Sequence, residues 1–166
     1  MSLTEKTQFI LATKDDLDSI LNIILPAYQK WVPIIGRKPT PMTADYTKSI
    51  NDHDIYLLKS YKTIFGLIEI IKKETHLWIE NVAVHPNHQG NGFGKKLLLH
   101  AEYIANINDL SFIRLQTNSE FQENIKLYNN FGYKLIREEP FMGGKTVYME
   151  KNIHSFSEPN TRPPIA

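Results

Sequence analysis

The stretch VAVHPNHQGNGFGKKLLLHAE, residues 82–102, constrains the fold of this chain more than any other part of the sequence. An apolar, strand-like run ends at a proline, passes through three glycines in five residues, and resumes as an amphipathic helix with two lysines near its start. Successive glycines let the backbone direct its N–H groups toward one point, and the first turn of a helix adds partial positive charge. The pattern therefore predicts a strand–turn–helix unit whose turn binds an anion, in particular a phosphate.

Two common phosphate-binding motifs do not fit this turn. The dinucleotide fingerprint requires a glycine where Lys95 stands, and the nucleotide P-loop requires one where Gln89 stands. The remaining pattern is Gln89-x-x-Gly92-x-Gly94. A tight turn without a ligand is the alternative interpretation, but one glycine would satisfy it, whereas three glycines followed by two lysines favour an anion site.

Hydrophobic periodicity predicts strands and helices in the order β-α-α-β-β-β-α-β-α-β-β. The strand, helix and strand at the centre imply a locally parallel pair with a right-handed crossover, and the outer hairpins imply a mixed sheet. Pro26 lies within the first helical pattern and predicts a kink or break, and Thr43 is the expected N-cap of the second helix. Strands are predicted over 7–13, 54–60, 63–73, 75–86, 111–118, 133–139 and 145–151, helices over 15–31, 42–52, 92–107 and 121–132, and a loop over 32–41.

Composition excludes several classes of function. With 42% hydrophobic and 22% charged residues in 166, the chain is typical of one globular domain, expected over 1–152, followed by a Pro-containing tail over 153–166. A net charge of +1 gives no support to nucleic-acid or membrane-surface binding, and the apolar runs are too short for a membrane span. Cysteine is absent, which excludes disulfides, zinc–thiolate sites and cysteine nucleophiles. Together with an N-terminus that lacks a signal-peptide pattern, this favours a cytoplasmic location.

Two segments give the chain a resemblance to the GNAT acetyltransferase superfamily. NVAVHPNHQGNGFGKKLL resembles that family's strand, pyrophosphate loop and helix, and ENIKLYNNFGYKLI resembles its later helix with a Tyr-x-x-x-Gly-aromatic ending. The strand FIRLQTN joins them, and the element order matches over about residues 7–152. The resemblance implies an α/β (α+β) fold with a mixed, mostly antiparallel central sheet and helices on both faces. It also implies a locally parallel strand pair, 77–85 and 111–117, that splays apart.

The resemblance implies that acetyl-CoA is the cosubstrate, that no metal takes part, and that a primary amine of a small molecule or protein is the acceptor. A homodimer is a further expectation by analogy. The pantetheine arm is expected to pair like an added strand with the backbone around Val82 and Val84. The residues implied for the pyrophosphate turn are Gln89, Gly90, Asn91, Gly92, Phe93, Gly94 and Lys95.

Tyr128 matches the family position that meets the departing thiolate with a proton or hydrogen bond. The alternative interpretation is an aromatic ring that packs beside Phe131. Asn124, four residues before the tyrosine, is a candidate contact for the pantetheine. Many relatives instead carry an asparagine seven residues before the tyrosine, where this chain has Phe121.

The amine must lose a proton before it attacks, and Glu80 is the candidate general base. Strand alternation would place Glu80 on the same face as Val82 and Val84. Glu69 on the preceding strand is the rival, and some relatives use no dedicated base. Either carboxylate is alternatively a solvated or ion-paired strand residue.

The end of the first helix usually walls the acceptor pocket in this family, and segment 139–144 is expected to reach the same pocket. His85 and His88 have a spacing that permits metal binding, but no third ligand is evident and they are interpreted as exposed loop histidines. A non-catalytic CoA-binding sensor or regulatory module is the alternative to an N-acetyltransferase, since it would need neither Tyr128 nor a base. Transfer of a longer acyl group is a third alternative. The residues expected at the acceptor pocket are Tyr28, Trp31, Pro33 and Ile34, although core packing explains Tyr28 and Trp31 about equally well.

Overall fold

Seven strands form one sheet, and helices cover both of its faces. The computed structural model describes residues 6–154, and the strands lie in the order β1-β2-β3-β4-β5-β7-β6. The strands are β1 (Gln8–Leu11), β2 (Asp54–Ser60), β3 (Thr63–Lys72), β4 (Leu77–Val84), β5 (Phe112–Asn118), β6 (Lys134–Phe141) and β7 (Gly144–Asn152). The helices are α1 (Leu17–Gln29), α2 (Val32–Ile35), α3 (Tyr46–Asp52), α4 (Phe93–Ile107) and α5 (Gln122–Asn130), with 3₁₀ turns at Lys14–Asp16, Thr40–Met42 and Pro86–His88.

The core has one layer on each face of the sheet. On one face α4 buries Leu97, Ala101 and Ile104, whose three- and four-residue spacing places them on one stripe of the helix. On the other face α1 buries Ile20 and Ile24 in the same way. Removing each of these leucine and isoleucine side chains from water stabilises the fold by about 1.5–3 kcal/mol. The two layers hold the sheet rigidly between α1 and α4.

The one parallel strand pair opens along its length. Strands β4 and β5 pair only from Leu77 opposite Ile113 to Ile79 opposite Leu115. Beyond that point β5 continues to pair with β7, and β4 continues to pair with β3, so the two strands part. This confirms the mixed, mostly antiparallel sheet and the splayed pair that the resemblance implied.

A β-bulge interrupts β4 at the point where the strands part. Asn81 lies opposite Glu69, but Ile79 lies opposite the next residue of β3, so Glu80 is the extra residue. Ile79 and Val82, three residues apart, both pack on the α4 side of the sheet. The predicted alternation that put Glu80 on the same face as Val82 is therefore wrong, because a period of two does not continue through a bulge.

Three local predictions also differ from the structure. Helix α1 continues through Pro26 without the predicted break, because burial of its apolar face outweighs one lost backbone hydrogen bond. Asp45, not Thr43, caps α3, and its side chain accepts a hydrogen bond from the Lys48 N–H at 3.2 Å. The predicted loop over 32–41 contains α2 and the start of a 3₁₀ turn. Residues 155–166 of the predicted tail lie outside the described residues.

Candidate active site

The glycine turn enters α4 through backbone conformations that favour glycine. Gly90 and Gly92 have φ of +78° and +81°, in the left-handed region that other residues rarely adopt. A Cβ atom at either position would meet nothing within 4 Å, so the space beside both is open. Gly92 is the N-cap of α4 and has no side chain to occupy the first N–H groups, which a helix leaves without intrahelical partners. The turn therefore presents backbone donors to an open space.

The third glycine of the turn has a packing role. A Cβ atom on Gly94 would lie 3.1 Å from Leu127 Cδ2 on α5, closer than ordinary van der Waals contact. Its missing side chain lets α4 and α5 approach each other. Only its backbone N–H, in the first turn of α4, belongs with the predicted anion site.

Side chains of the turn fix its shape. Gln89 Nε2 donates to the carbonyl of Val84 at 3.0 Å, which closes the turn onto the end of β4. Asn91 Nδ2 donates at 3.2 Å to a carbonyl of the preceding 3₁₀ turn. Lys30 Nζ contacts Gln89 Oε1 at 3.4 Å and Glu123 Oε2 at 2.6 Å, and so joins α1 to the turn and to α5. The Gln89 and Asn91 side chains thus hold the backbone that was predicted to bind phosphate.

The two lysines after the turn differ in their partners. Lys96 Nζ donates to Thr7 Oγ1 at 3.1 Å. Lys95 is exposed, and within residues 6–154 it has neither an ion pair nor a side-chain hydrogen bond. The Phe93 ring stacks on Phe65 at a centroid distance of 4.3 Å, so its side chain belongs to the core. Lys95 is therefore an exposed cation beside the turn that no described residue neutralises.

One backbone edge of β4 is open where the strands part. Val82 and Val84 pair with Ile68 and Gly66 of β3 on one side. On the other side, no strand of the described chain pairs with them, because the parallel pairing to β5 ends at Ile79. Their side chains pack against the α4-side core. An extended ligand arm can add to this edge as a strand adds to a sheet.

A cavity of about 170 Å³ opens from this cleft toward α1 and α3. Its wall includes backbone and side chains of both parted strands, of α5 and of the segment between α2 and α3. The cavity therefore joins the cleft between β4 and β5 to a chamber on the α1 side of the sheet. Its lining residues include Tyr28, Arg37, Tyr46, His53, Glu69, Glu80, Asn81, Val82, Asn124, Tyr128 and Phe141.

Tyr128 is buried on α5 and lines this cavity. Burial raises the pKa of its hydroxyl to about 12, so the hydroxyl stays protonated at neutral pH. Its ring meets Tyr133 edge-on at a centroid distance of 5.9 Å, whereas the alternative interpretation placed it beside Phe131. Glu80, Val82 and Asn124 line the same cavity as Tyr128.

The two candidate carboxylates have different surroundings. Glu80 is exposed, and its Oε2 accepts a hydrogen bond from Trp78 Nε1 at 2.7 Å. Glu69 is only 3% exposed, and its Oε1 lies 2.8 Å from His53 Nδ1. Both line the cavity, so position alone does not separate them.

A buried polar network crosses the α1 side of the cavity. The Tyr28 hydroxyl donates to Asn81 Oδ1, Asn81 Nδ2 donates to the Tyr46 hydroxyl at 3.2 Å, and that hydroxyl donates to the Pro41 carbonyl at 2.6 Å. Burial above all, with nearby Tyr128, raises the pKa of Tyr28, and burial followed by Glu69 raises the pKa of Tyr46. These groups therefore act as neutral hydrogen-bond donors and acceptors.

Sequence reasoning missed several lining residues. Asn81, Tyr46, His53 and Arg37 all line the cavity and were not predicted. Asn81 alone carried a signal, since an asparagine within the apolar run WIENVAV must find hydrogen-bond partners when it is buried. The others come from segments whose position over the sheet depends on tertiary packing.

Only some of the residues expected at the acceptor pocket line the cavity. Tyr28 and Phe141, the latter from segment 139–144, line the cavity. Trp31 instead stacks on Phe121 at 4.7 Å and fills the core. Pro33 and Ile34 are exposed, and the neighbouring Ile35 lines the cavity in their place.

The histidine pair near the turn has local roles. The His85 side chain accepts a hydrogen bond from the Asn87 N–H at 3.1 Å, and the His88 ring meets Phe65 edge-on at 4.9 Å. Within residues 6–154 there is no group of three or more histidine, aspartate or glutamate side chains arranged to hold a metal ion. In the same part of the chain, no helix is both long and apolar enough to cross a membrane.

Comparisons with known proteins identify the fold and the family. Three solved structures align over nearly their whole length. The PaiA N-acetyltransferase from Thermoplasma acidophilum, in complex with coenzyme A, is 17% identical, with 89% of this chain and 99% of that chain covered and a TM-score of 0.74. The ribosomal-protein-S18-alanine N-acetyltransferase from Escherichia coli is 17% identical over 93% and 98% of the two chains, with a TM-score of 0.73. A GNAT family acetyltransferase from Elizabethkingia anophelis with acetyl-CoA bound is 15% identical over 90% and 99%, with a TM-score of 0.65.

At these identities the structures establish the fold alone. A search of curated proteins finds no significant match. The family assignment comes from the sequence itself, because the model of the acetyltransferase (GNAT) family matches residues 17–133. That range includes the glycine turn, both parted strands and the helix that carries Tyr128. The chain therefore belongs to the GNAT family of acetyltransferases.

Proposed function

We propose that this protein transfers the acetyl group of acetyl-CoA to a primary amine within a ternary complex of enzyme, donor and acceptor. The observation that carries the proposal is the cavity that joins the open edge of β4 to a polar chamber, with the buried Tyr128 hydroxyl on its wall. A donor arm on that edge and an amine in the chamber would meet beside Tyr128. A direct transfer is favoured because the chain has no cysteine to carry the acetyl group.

The proposed donor site has two parts. The pantetheine arm adds to the open edge at Val82 and Val84, and Asn124 on α5 lies on the same wall. The pyrophosphate lies on the turn, where an open space beside the glycines meets free helix N–H groups. The residues proposed to bind it through their backbone are Gln89, Gly90, Asn91, Gly92, Phe93, Gly94 and Lys95.

The transfer makes three chemical demands on the protein. The amine must lose a proton, the thioester oxygen must be stabilised as it gains charge, and the thiolate must be met as it leaves. A backbone N–H near Val84 is proposed for the oxygen, because that edge of β4 is open. The Tyr128 hydroxyl is proposed to donate a hydrogen bond to the thiolate. With a pKa of about 12 facing a thiol near ~8.5, it stabilises the thiolate by this bond rather than by complete proton transfer.

Two groups are placed to take the proton of the amine. One is the Glu80 carboxylate, as the sequence suggested, and the other is the His53 imidazole beside Glu69. Glu80 already accepts a hydrogen bond from Trp78, although a carboxylate can accept several. Either group could accept the amine proton in the proposed reaction.

An acetyl-transfer screen tests the proposal. Purified protein is mixed with acetyl-CoA and single primary amines drawn from polyamines, amino sugars, amino acids and peptides with a free N-terminus or lysine. Thiol release is followed in solution, and mass spectrometry checks that the amine has gained an acetyl group. Stoichiometric release and acetylation with at least one amine are expected. Acetyl-CoA binding with no acetylated amine across the panel would contradict the proposal and favour a sensor that binds CoA without catalysis.

The proposal also includes a cellular location and an assembly state. A chain without cysteine fits a reducing, cytoplasmic compartment, and a homodimer is the assembly proposed by analogy with relatives. Fractionation of cells and light scattering of the purified protein test the two statements separately.

A further inference from the structure

A buried carboxylate and an imidazole meet in the acceptor part of the cavity. Glu69 on β3 is 3% exposed, and its Oε1 lies 2.8 Å from Nδ1 of His53, the residue that ends α3. The His53 side chain is itself 25% exposed, and both residues line the cavity. A fully buried glutamate is rare unless a partner compensates it, so His53 holds a defined place beside this carboxylate.

The pairing determines which ring nitrogen carries the proton. An ionised carboxylate only accepts hydrogen bonds, so Nδ1 of His53 must be the donor. In the neutral ring Nε2 then keeps its lone pair, because the bond made by one nitrogen fixes the tautomer of the other. Nε2 makes no hydrogen bond to any residue in the described range. The imidazole therefore offers a free basic nitrogen at the cavity, with a carboxylate behind it to stabilise the charge that proton uptake creates.

We propose that His53 is the general base of the reaction and that Glu69 is its positioning residue, an inference that rests on the proposed amine acetylation. His53 Nε2 takes one proton from the acceptor ammonium, which breaks an N–H bond of the amine and forms Nε2–H. The freed lone pair forms the bond to the thioester carbonyl carbon, and the C–S bond breaks toward the thiolate. The second amine proton reaches the thiolate to give the free thiol, and His53 returns its proton to solvent.

Charged and titratable groups from several elements line the cavity together with His53. Glu69 on β3, Glu80 on β4 and Tyr46 on α3 line the same cavity, together with Arg37 from the segment after α2. Asp54, the next residue along the chain, is paired with Lys72 at 3.4 Å. The pH dependence of the reaction therefore has to be assigned with variants rather than by its shape alone.

The first test measures kcat/KM against pH with the best amine from the acetyl-transfer screen. Wild type should lose rate as the pH falls, because protonation of the base removes the lone pair that accepts the amine proton. His53→Gln should lower kcat/KM at neutral pH about 100-fold and remove the fall in kcat/KM at acidic pH, which is the acidic limb of the profile. The reason is that glutamine can still donate to Glu69 but has no basic nitrogen. Glu69→Gln should keep a limb but displace it to lower pH, since a neutral amide stabilises the imidazolium less. His154→Gln, exposed beyond β7, is the matched histidine control and should match wild type.

The rival base is tested in the same series. Glu80→Gln should retain the acidic limb even if the rate falls. An active wild type whose limb disappears in Glu80→Gln and persists in His53→Gln would overturn this proposal and leave amine acetylation intact. Failure of wild type to acetylate any amine would instead contradict the proposed function.

A second readout needs no acceptor. Nitrogen NMR of the full chain, with His53 assigned by its loss in His53→Gln, should show the neutral ring protonated at Nδ1 and bare at Nε2. The Glu69→Gln variant should lose this preference or weaken it. A His53 ring protonated at Nε2 in the free wild-type protein would overturn the proposal whatever the kinetics show.

Discussion

The Tyr28 hydroxyl on α1 donates a hydrogen bond to the side-chain oxygen of Asn81 on β4. Both groups are buried, and the bond lies next to the bulge at Glu80, which interrupts the alternation of side chains between the two faces of the sheet. The bond thus connects α1, on one face of the sheet, to β4, whose backbone edge toward β5 is open. This tie fixes the chamber relative to the cleft.

Loss of the Asn81 side chain should destabilise the fold. Asn81→Ala leaves the Tyr28 hydroxyl with only the Val82 carbonyl at 3.4 Å as acceptor and removes the donor to the Tyr46 hydroxyl, at a cost of about 1–3 kcal/mol. The free energy of unfolding in urea measures the change. Asn106→Ala, exposed on α4, is the control and should change it by less than about 0.5 kcal/mol. Equal stability of the two variants would show that the network contributes nothing.

Replacement of Tyr128 by phenylalanine should separate catalysis from binding. The ring still fills its place, so acetyl-CoA affinity should be unchanged, while kcat falls about 100-fold because the thiolate loses its hydrogen bond. Steady-state kinetics and calorimetry give the two quantities. Tyr103→Phe, exposed on α4, should alter neither. If Tyr128→Phe turns over at the wild-type rate, the role proposed for this hydroxyl is wrong.

The buried tyrosines should make the fold sensitive to alkaline pH. Tyr128 titrates near pH 10 when unfolded and at about 12 when folded, because burial disfavours its charged form. Between those values the unfolded chain holds fewer protons, so stability falls as pH rises, by up to about 1.4 kcal/mol per pH unit for this group. Unfolding in urea at a series of pH values measures the slope. Tyr128→Phe should reduce it and Tyr61→Phe, which is 89% exposed, should not.

A methyl group in the glycine turn should weaken donor binding specifically. Gly92→Ala forces a residue with a side chain to φ of +81° and places a methyl in the space beside the helix N–H groups. Gly143→Ala is the control, because Gly143 has the same φ of +81° and equally open space beside it, in the turn between β6 and β7. Both should lose about 1–2 kcal/mol of stability. Only Gly92→Ala should lose acetyl-CoA affinity, by at least about tenfold by calorimetry, and equal losses would assign the effect to strain alone.

The sequence predicted the parts of the molecule that are determined locally. The glycine turn, the helix after it and the later helix with Tyr128 follow from spacing and residue type, and the structure has all three. The parallel pair followed from the order of strand, helix and strand. The roles of Tyr128, of the turn and of Asn124 in binding and catalysis stay predictions.

The rest depends on contacts between distant segments. The bulge at Glu80 has no local signal, because it is defined by the register against β3. His53 and Glu69 are 16 residues apart in sequence, and only the packing of α3 over the sheet brings them together. The packing of Leu127 against Gly94 also joins two helices, α4 and α5, that are distant in sequence. Such features require the tertiary structure.

Calorimetric titration tests the central claim, that the turn at 89–95 and the open edge of β4 bind acetyl-CoA. Wild-type protein is titrated with acetyl-CoA and, separately, with acetylated pantetheine that lacks the phosphates. We expect saturable binding of acetyl-CoA that weakens at least about tenfold without the phosphates, because each charge-assisted hydrogen bond to the turn contributes about 1.5–3 kcal/mol. Equal affinity for both compounds, or binding of neither, would contradict the claim.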